Sequence, residues 1–373
     1  MNARRWQKNL REEWLLVLFV ALAIALAIWD PSSPHSYLRW VQWPTLAGLL
    51  GLLIAIQGIR DSGLVQHAAA ALVARTHSVR KLGLLLVMIS ALLSMLLTND
   101  VSLFLTIPLT LAIGSNSNLP TGRMVVLQAL AVNAGSTLSP IGNPQNLLLW
   151  QHSSVSLLQF ISAMLPAAAT MLLLVAALAW WWLPSERVAL TSGRIARQSI
   201  LPRRGAWSIM ALAAMVIFLE QGQAGWGAAL LVLCYMLFDR SSVLRIDWLL
   251  LLTFAAIFLG LGHLAEVPLM QQALSRLNFD QPMTLYLSGI VASQGISNVP
   301  ATVLLLDRTT DMIALAVAVN VGGFGVVTGS LANLIALRLA RQPHGLRLFH
   351  LVSIPFLLVC APVVYLVWRA TAG

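Results

Sequence analysis

Charge is what this sequence has least of. Asp, Glu, Lys and Arg make up 10% of the 373 residues, while 58% are hydrophobic; soluble domains keep about a quarter of their residues charged. That scarcity excludes an ordinary soluble enzyme and a disordered binder. Lysine is nearly absent, at Lys8 and Lys81 only, so the formal charge of +10 is carried by arginine. On a soluble chain that balance would point to nucleic acid. Here the basic residues lie in short loops between apolar runs, the positive-inside pattern, and nucleic acid is not an expected partner. The two cysteines, Cys234 and Cys360, lie in separate apolar runs and exclude both a disulfide framework and a thiolate metal site. None of the seven histidines (His35, His67, His77, His152, His263, His344, His350) pairs with an acid or cysteine at metal-ligand spacing, which leaves a membrane metalloenzyme without support. Gly323-Phe324-Gly325 followed by Gly329 is one residue off a dinucleotide fingerprint and sits in an apolar run, not after a strand. No cofactor is expected.

Long apolar runs are abundant. A hydrocarbon core of about 30 Å needs about 20 apolar residues, and candidate crossings lie at 14–29, 43–59, 124–150, 157–183, 207–219, 226–238, 247–262, 312–339 and 346–368. The first reaches Asp30 and Pro31 without a small-residue cleavage site, which reads as an anchor and not a signal peptide. All 13 tryptophans fall at or near run ends, an interfacial belt. Two further stretches, 82–113 and 283–306, are apolar but broken by polar clusters, Thr98-Asn99-Asp100 and Ser297-Asn298 before Pro300. Read as crossings, they leave 12 basic residues inside and 11 outside, which is no bias; read as hairpins that return to their own side, they put 19 inside and leave only Arg39, Arg276, Arg308 and Arg369 outside. The hairpin reading satisfies the positive-inside rule. It predicts an all-α polytopic protein of the inner membrane with nine crossings, a cytoplasmic N-terminus and an external C-terminus. Gly63 to Ala74 reads as an interfacial helix.

A shift of 187 residues lays Ala131-Val132-Asn133-Ala134-Gly135 on Ala318-Val319-Asn320-Val321-Gly322, Gly142 on Gly329, and Asn146-Leu147 on Asn333-Leu334. Seven of 17 columns match, where chance gives about one. Trp43 to Leu72 also resembles Trp248 to Leu274. The expected organisation is two repeats of opposite orientation, each with a re-entrant helical hairpin and an interrupted transmembrane helix. Residues 1–183 form the first, 184–205 a basic cytoplasmic linker, and 206–373 the second.

Helix-breaking residues at membrane depth need protein or water around them. Gly135 to Asn146 carries Ser136, Thr137, Ser139, Pro140, Gly142, Asn143 and Pro144, and cannot be a regular helix; its counterpart Gly322 to Ser330 breaks at Gly322, Gly323, Gly325 and Gly329. An interrupted helix leaves one positive N-terminal end and a set of free carbonyls at mid-membrane, where they can hold an anion and a cation. The alternative is that the glycines serve only close helix packing. Candidate binding residues are Thr98, Asn99, Asp100, Thr137, Ser139, Gly142, Asn143, Asn146, Ser297, Asn298, Thr328, Gly329, Ser330 and Asn333. Asn133, Gly135, Pro140, Pro144, Asn320, Gly322, Gly323 and Gly325 shape the breaks. Asp100 is the one acid of 13 deep in an apolar run, a position that usually has a function. It could ligate Na+ with Asn99 and Asn298, or cap the helix beginning at Val101.

Asn133-Ala134-Gly135 and Pro140-Ile141-Gly142-Asn143-Pro144-Gln145-Asn146, with Asn-Asp upstream and Ser-Asn-Val-Pro in the second half, resemble the ion transporter superfamily. That group holds arsenite-permease-like, CitM citrate, NhaD-type sodium/proton antiporter and divalent anion/sodium symporter families. The chain looks like its YbiR-like inner-membrane branch over nearly the whole length. The resemblance implies a homodimer of scaffold and mobile transport domains moving in an elevator-like manner, with Na+ and substrate held by hairpin tips and unwound loops. The dicarboxylate branch reads Ser-Asn-Thr at its tips, whereas this chain has Thr98-Asn99-Asp100 and Ser297-Asn298-Val299. The expected function is secondary active transport of a small anion or oxyanion-like solute coupled to Na+ or H+. A Na+/H+ antiporter using Asp100 is the alternative, and a membrane-embedded enzyme or scaffold a third reading.

Overall fold

The computed structural model describes residues 14–64, 78–115, 117–189, 201–340, 342 and 344–372. Among them every named element is a helix, and Ser78 and Arg187 form an antiparallel bridge. Its helices are α1 (Trp14–Trp29), α2 (Pro34–Trp40), α3 (Trp43–Asp61), α4 (Val79–Leu96), α5 (Asn99–Gly114), α6 (Thr121–Ser136), α7 (Pro144–His152), α8 (Leu157–Trp182) and α9 (Pro202–Glu220). They continue with α10 (Ala224–Phe238), α11 (Arg240–Arg245), α12 (Trp248–Glu266), α13 (Pro268–Ser275), α14 (Pro282–Ile296), α15 (Asn298–Leu305), α16 (Met312–Val321), α17 (Leu331–Ala340) and α18 (Gly345–Ala372). Proline opens α3, α7, α9, α13 and α14, where its missing N–H costs nothing.

Among the described residues, six helices are long and apolar enough to cross a membrane: α3, α4, α8, α9, α12 and α18. Five of them match runs read as crossings, and the sixth, α4, is the first arm of an interrupted stretch. Both interrupted stretches fold as two helices joined at the polar cluster, α4 with α5 and α14 with α15. The 124–150 and 312–339 runs are each split in two, α6 with α7 and α16 with α17. The short runs near 207–238 are longer than their apolar content suggests, because α9 starts at Pro202 and takes in Arg203 and Arg204. Residues 202–205 of the expected linker are therefore helical, and 190–200 lie outside the described residues. Beyond Leu64, so does the expected interfacial helix to Ala74.

The split helices are the centre of the molecule. α6 is buried on every side from Met124 to Ser136, and α16 from Ala314 to Val321. Helices apolar all round belong in a core. The α4/α5 pair packs on α6, α14 packs on α16, and α8 lies against α6 and α18. α8 and α18 turn Leu158, Leu165, Leu173, Leu351, Leu358 and Leu366 outward, a surface suited to lipid tails. A second group forms where α3 packs on α9 and α10, and α12 on α1. It meets the first through α3 with α7 and α12 with α15. One end of the second group is clamped by ion pairs: Arg204 with Asp239 (2.6 Å) and Asp61 (3.2 Å), and Arg245 with Asp61 (2.9 Å).

Candidate functional site

The two helix breaks are held by asparagine side chains that pair across the halves. Asn133 Nδ2 donates to Asn333 Oδ1 at 2.8 Å, and Asn320 Nδ2 donates to Asn146 Oδ1 at 2.6 Å. A shift of 187 residues carries one pair onto the other. It also carries the Asn133 bond to Ala129 O onto the Asn320 bond to Ala316 O, and the Asn146 bond to Ser136 O onto the Asn333 bond to Gly323 O. All of these groups are buried. A buried polar network of this kind is stable only when its members are satisfied, and most of them are.

Asn146 Nδ2 donates to the carbonyls of Ser136, Thr137 and Ser139; Asn143 Nδ2 donates to Ser136 and to Asn320 Oδ1, while Asn143 Oδ1 caps α7 by accepting from Asn146 N. Asn143, Asn146 and Asn333 are thus committed to the protein on both sides of the amide. Thr137 donates to Asn133 O, Ser139 to Met95 O at 2.5 Å, and Thr328 to Gln294 O at 3.1 Å; Ser330 Oγ accepts from Ala332 N.

Each hairpin tip reaches the break in its own half. Asn99 N donates to Gly142 O at 2.9 Å, and a Cβ on Gly323 would lie 3.5 Å from both Asn298 Nδ2 and Asn133 Oδ1. Close approach here needs glycine. A Cβ on Gly135 would run into Ala91 O and Ser94 Oγ, and one on Gly322 would lie 2.5 Å from Ser293 Cβ. Ser94 and Ser293 each stand five residues before the tip asparagine. In the second hairpin the tip residue Ser297 has φ 77°, a left-handed conformation that costs energy without glycine. The Oδ1 atoms of Asn99 and Asn298 accept from the next main-chain N–H, of Asp100 and Val299. Their Nδ2 groups make no hydrogen bond among the described residues.

Asp100 is not the helix cap. Thr98 is, its hydroxyl accepting from Val101 N, and the helix starts at Asn99. Asp100 is 8% exposed, and its Oδ1 is buried without a hydrogen-bond partner. The carboxylate borders a cavity of about 430 Å³ lined also by Thr98, by Gln57 and Arg60 of α3, by Arg245, by Asp247 and Thr253, and by Arg338 of α17. Such a cavity offers an oxygen acceptor at Asp100 and N–H donors at the arginines. Asp100 Oδ1 itself has almost no accessible surface and stands behind the cavity wall, a hard oxygen that a cation or a proton would satisfy.

The structure brings Asn99, Gly142 and Ser139 together at one break, and Asn298, Gly323, Asn133 and Asn333 at the other. Gln294 was not singled out by the sequence. It donates to Gly322 O and Phe324 O and accepts from Val326 N, tying the second break to α14; its signal is a polar residue four positions before Asn298 in an apolar arm. Arg60, Arg245 and Arg338 were read only as markers of sidedness.

Comparison with known proteins bears on what this arrangement serves. The sequence profile described as citrate transporter, CitMHS, matches residues 10–312. Inner membrane protein YbiR of Escherichia coli is 38% identical over 361 residues, 96% of each chain. Uncharacterized transporter MJ0456 of Methanocaldococcus jannaschii is 28% identical over 333 residues, 88% of this chain and 90% of that one. Silicon efflux transporter LSI3 of Oryza sativa subsp. japonica is 28% identical over 145 residues, 39% of this chain and 30% of that one.

Proposed function

The chain belongs to the CitMHS citrate transporter family, and on that premise we propose that it moves a small anion or oxyanion-like solute across the inner membrane by secondary active transport coupled to Na+ or H+. One observation carries the reading. Asp100 lines a cavity of about 430 Å³ and keeps one carboxylate oxygen buried behind its wall with no protein partner, beside helices interrupted at the centre of an apolar bundle. Charged groups at such depth are costly and are kept where ions or protons pass.

The division of labour follows from which atoms are free. Asn143, Asn146 and Asn333 hold the breaks, so the groups offered to a ligand are the Asn99 and Asn298 amides, the Asp100 carboxylate and Asn133 Oδ1. N–H donors suit the anion, and the oxygens suit Na+ or a proton. The matched hydrogen bonds at a 187-residue offset support two repeats of the same construction, and the arginine distribution supports their opposite orientation with the N-terminus inside and the C-terminus outside. The hairpins would then be re-entrant. In an elevator-like cycle the group built on α4–α8 and α14–α18 would slide against the group built on α1, α3 and α9–α12, in a homodimer.

A second reading is favoured by Asp100 alone: exchange of Na+ for H+ with no anion moving. A thermal-shift screen of the purified protein against Na+, Li+, organic acids and oxyanions separates the two. The anion reading expects an organic acid or oxyanion to raise the unfolding midpoint further in the presence of the cation. Stabilisation by cations only would leave the exchanger.

A further inference from the structure

We propose that Arg60 reads the charge of the solute: its guanidinium forms an anion-binding subsite in the cavity that ends on Asp100, selecting solutes with a carboxylate or oxyanion group over neutral ones. The inference rests on the transporter reading and adds what the cargo must carry.

Three arginines line this cavity, and they are not equivalent. Arg245 is held by Asp61 at 2.9 Å and donates to Ser241 Oγ. Arg60 makes no ion pair among the described residues; its Cζ lies 5.3 Å from the centroid of the Phe104 ring. Phe104 follows Asp100 by one turn of α5, so the ring beneath Arg60 and the carboxylate belong to the same wall. Ring contact uses the face of a guanidinium, whereas carboxylate and phosphate oxygens pair with its edge N–H groups. Stacking on Phe104 therefore orders the side chain without spending the donors an anion needs.

An arginine at a helix end could simply anchor α3 at the membrane surface. Arg60 instead lines the cavity and is only partly exposed. The second, independent sign of a ligand is Asp100, which lines the same cavity and has one carboxylate oxygen buried without a partner. Donor and acceptor together suit an anion accompanied by its coupling cation. A neutral solute such as silicic acid would leave the guanidinium without a partner, a loss that sites built around a charged hydrogen bond discriminate strongly.

The test uses the full-length protein in liposomes, with citrate, inorganic phosphate and silicic acid as probes at fixed Na+ and pH. Wild type should carry citrate or phosphate. Arg60→Gln should raise the KM for that anion about tenfold or more with Vmax little changed, the effect of losing one charged hydrogen-bonding group. Arg60→Lys keeps the charge without the planar fork and should recover only part of the affinity. If Arg60→Gln does not fold, Arg60→Lys decides, because an unchanged KM in that variant overturns the bidentate subsite. Anion transport by Arg60→Gln with KM within twofold of wild type overturns the inference and leaves the transporter reading intact. Carriage of silicic acid but neither anion also overturns it. Cation exchange with no solute moving at all removes the anion reading and the subsite together.

Discussion

Asn146→Ala should be one of the most costly polar substitutions in this protein, and its cost can be worked from the bonds it breaks. The Asn146 amide donates to Ser136 O at 3.2 Å, Thr137 O at 3.0 Å and Ser139 O at 3.2 Å, and Asn146 Oδ1 accepts from Asn320 Nδ2 at 2.6 Å. The losses are unequal. Ser136 O keeps the Asn143 amide, Asn320 keeps Ala316 O, and Gly142 N still lies 3.3 Å from Ser139 O, but Thr137 O is left with no donor among the described residues. One orphaned buried carbonyl costs about 2 kcal/mol and each further lost bond about 1 kcal/mol, so the sum is roughly 5 kcal/mol. Asn333→Ala, at the matching place in the second half, orphans Gly323 O and loses one further bond, from Asn133. That gives about 3 kcal/mol by the same reckoning. Purified variants unfolded by heat, followed by tryptophan fluorescence, should rank wild type, Asn333→Ala, Asn146→Ala in falling midpoint. Asn146→Asp should be no better than Asn146→Ala, since it sets a carboxylate against three carbonyls. An Asn333→Ala midpoint at or below that of Asn146→Ala would refute the reasoning.

Asp100→Asn loses no hydrogen bond at Oδ1, since none is present; the variant should fold with an unchanged or higher midpoint yet lose the dependence of transport on Na+ and pH, and retained coupling would move the ion site to the uncharged oxygens of the breaks. Gly135→Ala and Gly322→Ala should drive the hairpins off the split helices and lower the midpoint by several degrees, whereas Gly295→Ala, with nothing within 4 Å of a new Cβ, serves as the control; equal midpoints for all three would count against the close packing. Burial alone would raise the Asp239 carboxyl, but hydrogen bonds from Ser241 and Ser242 and the Arg204 guanidinium outweigh it and hold the group below its ordinary value of 3.8. Its stabilisation is therefore present above that ordinary value and is lost as pH falls through the lower folded one. Acid should accordingly lower the wild-type midpoint more than that of Asp239→Asn, and parallel acid profiles would discount the clamp.

The run pattern carried most of the fold because bilayer thickness, not partner shape, sets the length of a spanning helix. The 157–183 run is helix Leu157–Trp182, and the polar clusters at Asn99 and Asn298 are where the interrupted stretches turn. The short helices α2, α11 and α13 were invisible because six to eight residues of mixed polarity give no run. Helix α9 was read short because Arg203 and Arg204 look like loop, although a spanning helix can begin in the headgroup region. At the site, the repeat made Asn133 equivalent to Asn320, and Asn146 to Asn333, but an alignment of halves cannot say that the bonds cross between them. Nor could it say that Asn146 is saturated while Asn133 keeps an open oxygen. By sequence Asp100 was the candidate cap; the helix uses the Thr98 hydroxyl instead. Arg60 was counted for its side of the membrane, which conceals that it lines the cavity.

The central claim is that movement of the solute is driven by an ion gradient. Full-length protein in liposomes should accumulate citrate or another small anion against its own gradient when an inward Na+ or H+ gradient is imposed, and an ionophore that collapses that gradient should abolish accumulation. Anion entry that proceeds only to equilibrium, indifferent to both gradients and to the ionophore, would contradict the account.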